Sequence, residues 1–266
     1  IEKENYTLQK IEYFDHKASE EESEKTIIFC NLVTTSLNEE IGELVRINLK
    51  PCFIKDGKII RTRKSISFFQ YPEKQIEKSS RKYIDFDLEE KRESSINWDL
   101  IRNLFSQADY IVSHNSSFIR PWVDKHIGQN DFIWGCSLEH IDWESRNFPN
   151  KNLESLCVFS GFYYDFSNSK TALEALVNCV HVNKAVSELV KKAESPDLQV
   201  FAANAPRELN YLLKSRRYRW NPDFSCWWTQ VRNKEEADLE SSWLAENLPG
   251  SEPQVFEVDS KFRYTK

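Results

Sequence analysis

The sequence predicts an α/β fold, a mixed β-sheet flanked by helices, followed by a small α+β unit. Three observations carry this. Apolar runs of strand length come first, between residues 26 and 70, and from residue 97 such runs alternate with stretches of helical spacing. Glu194-Ser195-Pro196-Asp197 breaks the pattern. Beyond that break the elements read β-α-β-β-α-β, the order of a ferredoxin-like unit.

Residues 1–25 are polar and acidic, with Glu20-Glu21-Glu22 before Lys25, and read as an arm with at most a short edge strand. Residues 26–31 form a short apolar run of strand length. Residues 41–49 and 58–70 read as two further strands, with Pro51 and Asp56-Gly57 marking the turn between them. Residues 71–95 are charged and loop-like. Asn97 is placed to cap a helix over residues 98–106. Residues 109–113 read as a strand, 118–126 as a helix with Phe118, Trp122 and Val123 on one side, and 132–136 as a strand. Helices follow at 152–160 and 171–192, the second with the apolar stripe Ala172, Leu173, Leu176, Val177 and Val180.

In the last segment, 198–202 reads as a strand and 206–216 as a helix with Pro206 at its first turn. Residues 218–220 and 226–231 form a hairpin around Asn221-Pro222-Asp223. An amphipathic helix at 234–247 and a strand at 255–264 complete it. The expected division is an arm at 1–25, a larger domain at 26–193 and a small α+β domain at 198–266.

The 266 residues are 40% hydrophobic and 29% charged, enough for one large domain or one medium and one small one. A net charge of −6 argues against indiscriminate binding of nucleic acid by the whole chain but permits a local basic site. No run approaches the ~18 apolar residues of a membrane span, and Ile1-Glu2-Lys3-Glu4 begins no signal or transit segment, so no membrane partner is expected. The cysteines stand singly at Cys30, Cys52, Cys136, Cys157, Cys179 and Cys226, without a C-x-x-C pair, which disfavours zinc and redox sites. They read as reduced core thiols of a cytoplasmic protein.

Two stretches carry a motif frame. One is Ile27-Ile28-Phe29-Cys30-Asn31-Leu32-Val33-Thr34-Thr35-Ser36-Leu37. The other is Ala108-Asp109-Tyr110-Ile111-Val112-Ser113-His114-Asn115-Ser116-Ser117-Phe118-Ile119-Arg120-Pro121. On these frames the chain resembles the DEDD-class 3′–5′ exonucleases, the superfamily of proofreading exonucleases and RNase T, with a ribonuclease H-like fold. That family carries D-x-E-T-T-G on its first strand, H-N-x-x-F-D in its second motif and H-x-x-x-x-D at a helix start. Cys136-Ser137-Leu138-Glu139, Leu153-Glu154-Ser155-Leu156 and Gly161-Phe162-Tyr163-Tyr164-Asp165 fit the intervening segments. The tail Leu212-Leu213-Lys214-Ser215-Arg216-Arg217-Tyr218-Arg219-Trp220-Asn221 resembles the extra C-terminal domain of one bacterial branch.

In such enzymes four acids hold two divalent metals, which activate water for attack on the terminal phosphodiester while a histidine acts as base. Residue by residue, the resemblance puts the acids at Asn31, Val33, Ile119 and Ala172 and the histidine at Ser167. All five are replaced, so no catalytic residue, metal or other cofactor is expected. Desolvating Mg²⁺ or Mn²⁺ in a neutral, partly apolar pocket returns too little. Asp109, Asp124, Asp165 and Glu174 are the acids nearest in sequence; Asp109 and Asp165 fit structural positions, and Glu174, two residues past Ala172, points elsewhere on a helix. His181 reads as an ordinary helix histidine.

The resemblance therefore implies a catalytically inactive homologue serving as a nucleic-acid-binding, regulatory or interaction protein. Its ligand would be single-stranded DNA or RNA, a nucleotide or a protein partner. Thr34, Thr35, His114, Asn115 and Phe118 are the candidates for lining the old groove. Lys214, Arg216, Arg217, Arg219 and Trp220 form a second candidate, in a stretch where Arg207 and Arg232 add basic charge and Trp227 and Trp228 add aromatic surface. Arg217 falls where the relatives have glycine. Two alternatives stay open: an active Mg²⁺- or Mn²⁺-dependent 3′–5′ exonuclease with non-standard ligands, and a protein-interaction module whose groove is filled by Val33 and Ile119.

Overall fold

The computed structural model describes residues 8–11, 23–84, 89–128, 130–165, 168–222, 224–231 and 233–265. Ser167, Asp223, Arg232 and most of the acidic arm lie outside the described residues. The chain divides into two compact units, Ile1–Glu194 with Tyr264–Lys266, and Ser195–Arg263.

In the first unit a short β1 (Gln9–Lys10) is followed by β2 (Lys25–Thr34), β3 (Leu44–Lys55), β4 (Lys58–Thr62) and β5 (Ile66–Phe69). Next come α1 (Lys78–Arg81), α2 (Trp98–Ser106), β6 (Tyr110–Ser113), α3 (Ser116–Ile127) and β7 (Trp134–Cys136). The unit ends with α4 (Leu153–Phe159), β8 (Phe162–Tyr163), α5 (Ser169–Val182) and α6 (Val186–Glu194). The main sheet has the order β4-β3-β2-β6-β7, with β5 also on β3. β3 runs antiparallel to β2, whereas β6 is parallel to it and β7 parallel to β6.

Both faces of this sheet are covered, which is what the long apolar runs require. Alternation along β2 sends Ile27 and Phe29 to one side, where they meet Leu156, Leu173, Val177 and Leu189 of α4, α5 and α6. Ile28 and Cys30 go to the other, against Ile101 and Phe105 of α2 and Trp122 and Val123 of α3. Asn97 caps α2 as its sequence position implies, its side-chain oxygen accepting from Leu100 N at 2.9 Å.

Two expectations for this unit are corrected. Pro51 does not end a strand: β3 runs through it. β4 pairs with β3 only from Cys52, and β5 only up to Leu49. Pro51 thus faces the gap between them, where its missing N–H breaks no ladder bond, while its carbonyl accepts from Arg63 N at 2.9 Å. The same gap splits residues 58–70 into two strands. The long helix over 171–192 is also two helices. Asn183 turns its side chain back to donate to Cys179 O at 2.9 Å, and Lys184 takes φ 51°, so the axis breaks there.

The second unit contains β9 (Asp197–Ala203), α7 (Asn210–Ser215), β10 (Arg219–Asn221), β11 (Cys226–Val231), α8 (Lys234–Asn247) and β12 (Glu252–Val258). Its sheet has the order β10-β11-β9-β12 with every neighbour antiparallel. Leu213 of α7 and Leu244 of α8 share one core with Val200, Ala202 and Val231, so both helices cover the same face. The last strand ends at Val258 rather than continuing to 264, because Asp259 accepts from Lys261 N at 2.8 Å and starts a 3-10 turn over Ser260–Phe262.

Candidate functional site

The face of β2 that carries Ile27 and Phe29 changes character at Asn31. Its register partner on β3 is Asn48, flanked on the same face by Arg46 opposite Val33 and Lys50 opposite Phe29. All three β3 side chains are buried. Arg46-Ile47-Asn48-Leu49-Lys50 alternates like a strand with one wet face, yet the helix α5 covers that face. Most of the buried polar atoms are instead hydrogen-bonded internally.

Asn31 is the centre of this network. Its Nδ2 donates to the Ser169 carbonyl at 2.6 Å, and its Oδ1 accepts from Asn48 Nδ2 at 2.8 Å. Asn48 also donates to Ser169 Oγ at 2.9 Å and accepts from Ser67 Oγ at 2.7 Å. The Arg46 guanidinium donates to Ser169 Oγ and lies 5.4 Å from the centre of the Phe69 ring. The Asn31 carboxamide both accepts from Asn48 and donates to a carbonyl; an ionised carboxylate, which cannot donate, would face the Ser169 oxygen with a second oxygen. Ser169 is the first residue of α5, and Asn168 caps that helix by accepting from Lys170 N at 3.0 Å. The network thus ties the start of α5 to β2 and β3.

One turn further into α5, Glu174 meets Lys50. Nζ and Oε2 are 2.8 Å apart, and both side chains are excluded from water. Ser65 donates to the same carboxylate, and Lys50 reaches the Arg63 carbonyl at 3.2 Å. The other acids near the motifs are also engaged: Asp109 accepts from Thr26 N at 2.7 Å, and Asp124 binds Arg120 at 3.0 Å. His181 lies in the last turn of α5.

Beside the network is a cleft of about 590 Å³. Asn31, Leu32, Val33, Thr34 and Leu37 line it from the end of β2, Ser169 and Ala172 from α5, and Phe118 from α3. Ser80, Lys82, Tyr83, Asn152, Leu153, Glu154 and Tyr164 add to the lining, which among the described residues carries one cation and one carboxylate. Of the groove candidates, Thr34 and Phe118 are in the lining. Thr34 Oγ1 donates to Ser36 O at 2.7 Å, and Thr35 Oγ1 accepts from Glu43 N at 2.8 Å, so both shape the following loop. Asn115 takes φ 80° before α3 and accepts from Ser117 Oγ at 2.8 Å. His114 Nδ1 pairs with Ser137 Oγ at 2.8 Å. Burial pushes its pKa down to about 4, partly offset by a hydrogen bond to the Lys151 backbone, so it is neutral at pH 7.

Two divalent cations do not fit this donor set. Val33 and Ile119 are apolar and 3% and 5% exposed. Ile119 packs with Trp122 and Val123 in the α2–α3 core, outside the cleft lining. The Asn31 oxygen is already used, and the buried Arg46 cation stands across from Val33. Among the described residues no group of three or more His, Cys, Asp or Glu side chains converges as a metal would require.

The basic hairpin residues are dispersed. Arg216 forms a two-point ion pair with Glu240, at 2.9 and 2.6 Å, and lies 4.2 Å from the Trp243 ring centre. Lys214 is 5.8 Å from the Trp227 ring, which packs toward the helices. Arg217 takes φ 67° and borders a hollow of about 440 Å³ with Glu236 and Glu240. Arg219 and Trp220 are exposed on β10. The residues that sequence reasoning missed are Arg46, Asn48, Lys50 and Ser169 of the network, and Lys82, Tyr83 and Tyr164 of the cleft. The polar alternation along β3 was a signal for the first three.

No protein-family model matches the chain, and no curated protein is significantly similar to it. Solved structures do match. One of exonuclease I has a TM-score of 0.50 at 12% identity, over 90% of this chain and 66% of that one. The zinc-bound E. coli exonuclease I complex with single-stranded DNA gives 0.44 at 15% identity, over 72% of this chain and 43% of that one. Exonuclease X with 5′-overhanging duplex DNA gives 0.39 at 15% identity, over 62% and 98%. The chain thus spans less than two thirds of both exonuclease I chains. At these identities the likeness is one of fold: a ribonuclease H-like mixed sheet flanked by helices, as in the exonucleases.

Removing one partner of the buried pair leaves an uncompensated charge. Lys50→Met is expected to cost about 3–5 kcal/mol, and adding Glu174→Leu to recover most of it, in urea unfolding. Equal losses in the single and double variants would contradict the pair's isolation from water. His114 has a folded pKa below the unfolded value of about 6.5. The unfolded chain therefore binds its proton first, and stability is full above pH 6.5 and falls as pH drops toward 4. His114→Gln is expected to remove roughly 2 kcal/mol of the difference in unfolding free energy between pH 7 and pH 4.5. An unchanged pH slope would contradict the burial.

Proposed function

We propose that this protein is a catalytically silent relative of the DEDD-class 3′–5′ exonucleases, from a bacterial branch with an added C-terminal domain, that holds nucleic acid without cutting it. The two compact units are taken as its exonuclease-like and C-terminal domains, and the cytoplasm as its compartment. The observation that carries this reading is the engagement of Asn31 between Asn48 and Ser169, on the strand where the family's first acid would stand. With Val33, Ile119 and Ala172 at the other acid positions, the site lacks the oxygens that hold two metals.

The cleft is suited to a strand end rather than to chemistry. Phe118, Tyr83 and Tyr164 offer ring surface, and Thr34, Asn152 and Lys82 offer polar contacts. Losing the carboxylates also removes charge that repels phosphate. The five buried cysteines, none in a disulfide, agree with a reducing compartment. No helix among the described residues is long and apolar enough to cross a membrane.

The test is incubation with 5′-labelled single-stranded DNA and RNA in Mn²⁺ and in EDTA. The expected outcome is no shortening in either, with binding that persists in EDTA and weakens steeply as salt rises. Shortening that EDTA abolishes would restore the reading of an active exonuclease with other ligands. Absence of strand binding would leave the interaction module.

A further inference from the structure

The second unit has an uncovered sheet face. Along β9, the side chains of Val200 and Ala202 meet the helices, so Gln199 and Phe201 point the other way. Register carries that side across the sheet: Phe201 is paired with Trp228 on β11 and with Gln254 on β12, Gln199 with Phe256, and Trp228 with Arg219 on β10. The face therefore reads aromatic down its middle, with carboxamides between the rings.

Its rings are grouped around Phe201, which is 8% exposed. Trp228 lies nearly parallel to it, 6.2 Å between centroids at 20°. Phe224, in the turn before β11, and Phe256 stand edge-on at 5.8 and 5.3 Å. The outer two remain open to water, Phe224 72% and Phe256 50% exposed. Large aromatics held in place yet left exposed mark an interaction surface rather than a core.

Charge narrows the occupant. The carboxylates of this unit gather on the helix layer, where α8 alone carries Glu235, Glu236, Asp238, Glu240 and Glu246. Among the described residues, the strand carboxylates on the open face sit at the ends. Asp197 is bound by Arg263 at 2.7 Å, and Glu252 begins β12. Among the described residues the charge beside the rings comes from Arg219, paired in register with Trp228, and Arg219 forms no ion pair among them. Flat π surfaces on neighbouring antiparallel strands, glutamine amides to meet base edges and a flanking guanidinium for phosphate match unstacked bases on an anionic backbone.

We propose that this open face binds single-stranded nucleic acid by stacking bases on Trp228, Phe256 and Phe224. The site is separate from the cleft and does not rest on the cleft reading. It shares Arg219 and Trp228 with the basic-hairpin stretch, but Arg216 is held by Glu240 and Trp227 faces the helices, so neither of these takes part.

The experiment uses the full chain in EDTA, with fluorescein-labelled dT12 and U12 followed by anisotropy and by tryptophan quenching. Trp228→Ala and Phe256→Ala are each expected to weaken binding about ten-fold. Trp228→Tyr keeps a ring and is expected to restore most of it. Leu239→Ala, on exposed α8 surface, is expected to change nothing. Far-ultraviolet circular dichroism and melting verify that each variant is folded. Ala172→Trp fills the cleft and reports on that site separately. Unchanged affinity in folded Trp228→Ala and Phe256→Ala would overturn the proposal, whether or not Ala172→Trp weakens binding. A dimer in light scattering that these two substitutions dissolve, with strand affinity intact, would overturn it in favour of self-association. Tighter binding of U12 than dT12 would assign the face to RNA, and the reverse to DNA.

Discussion

Everything at the first unit's site depends on one carboxamide that works in two directions. Asn31 accepts from β3 and donates to α5, so it joins the two central strands to the helix that closes over them. Around it, Asn48, Ser169 and the buried Arg46 complete a set of hydrogen bonds that leaves little for an outside ligand on that face. An acid at residue 31 would lose the bond to Ser169 and set two oxygens against each other. The network is therefore specific for a neutral residue.

The same constraint separates scaffold from chemistry. The sheet order, the two cores and the cap at Asn97 follow from apolar alternation and cap residues, and these do not depend on the polar network. Ile119 shows the consequence. Its side chain adds to the α2–α3 core, where burial of a side chain that size stabilises by about 1.5–3 kcal/mol. Lys50 and Glu174 show the other side. A charge pair removed from water contributes little net stability, but it ties α5 to β3 in one register.

Much of this was legible in the sequence, and the rest was hidden for identifiable reasons. The two motif frames lie within short stretches, so their placement on β2 and at the start of α3 needs no long-range information. Asn48 was not legible as a site residue because its role depends on pairing with a residue seventeen positions away and on a helix beginning at Ser169. Pro51 looked like a stop because a sequence does not reveal where one partner strand ends and the next begins. The break at Asn183 was concealed by an apolar stripe that continues into α6. In the second unit the tryptophans were visible, but which of Trp227 and Trp228 faces outward is a matter of strand register.

The central proposal is that the network around Asn31 leaves no place for a divalent metal, and metal binding tests it most directly. Mn²⁺ added to the purified chain, with free ion followed by electron paramagnetic resonance, is expected to show no saturable site tighter than about millimolar. The melting temperature is expected to stay unchanged, since a ligand that binds only the folded state must raise it. One or two Mn²⁺ ions bound per chain at micromolar concentration, with a matching rise in melting temperature, would contradict the account.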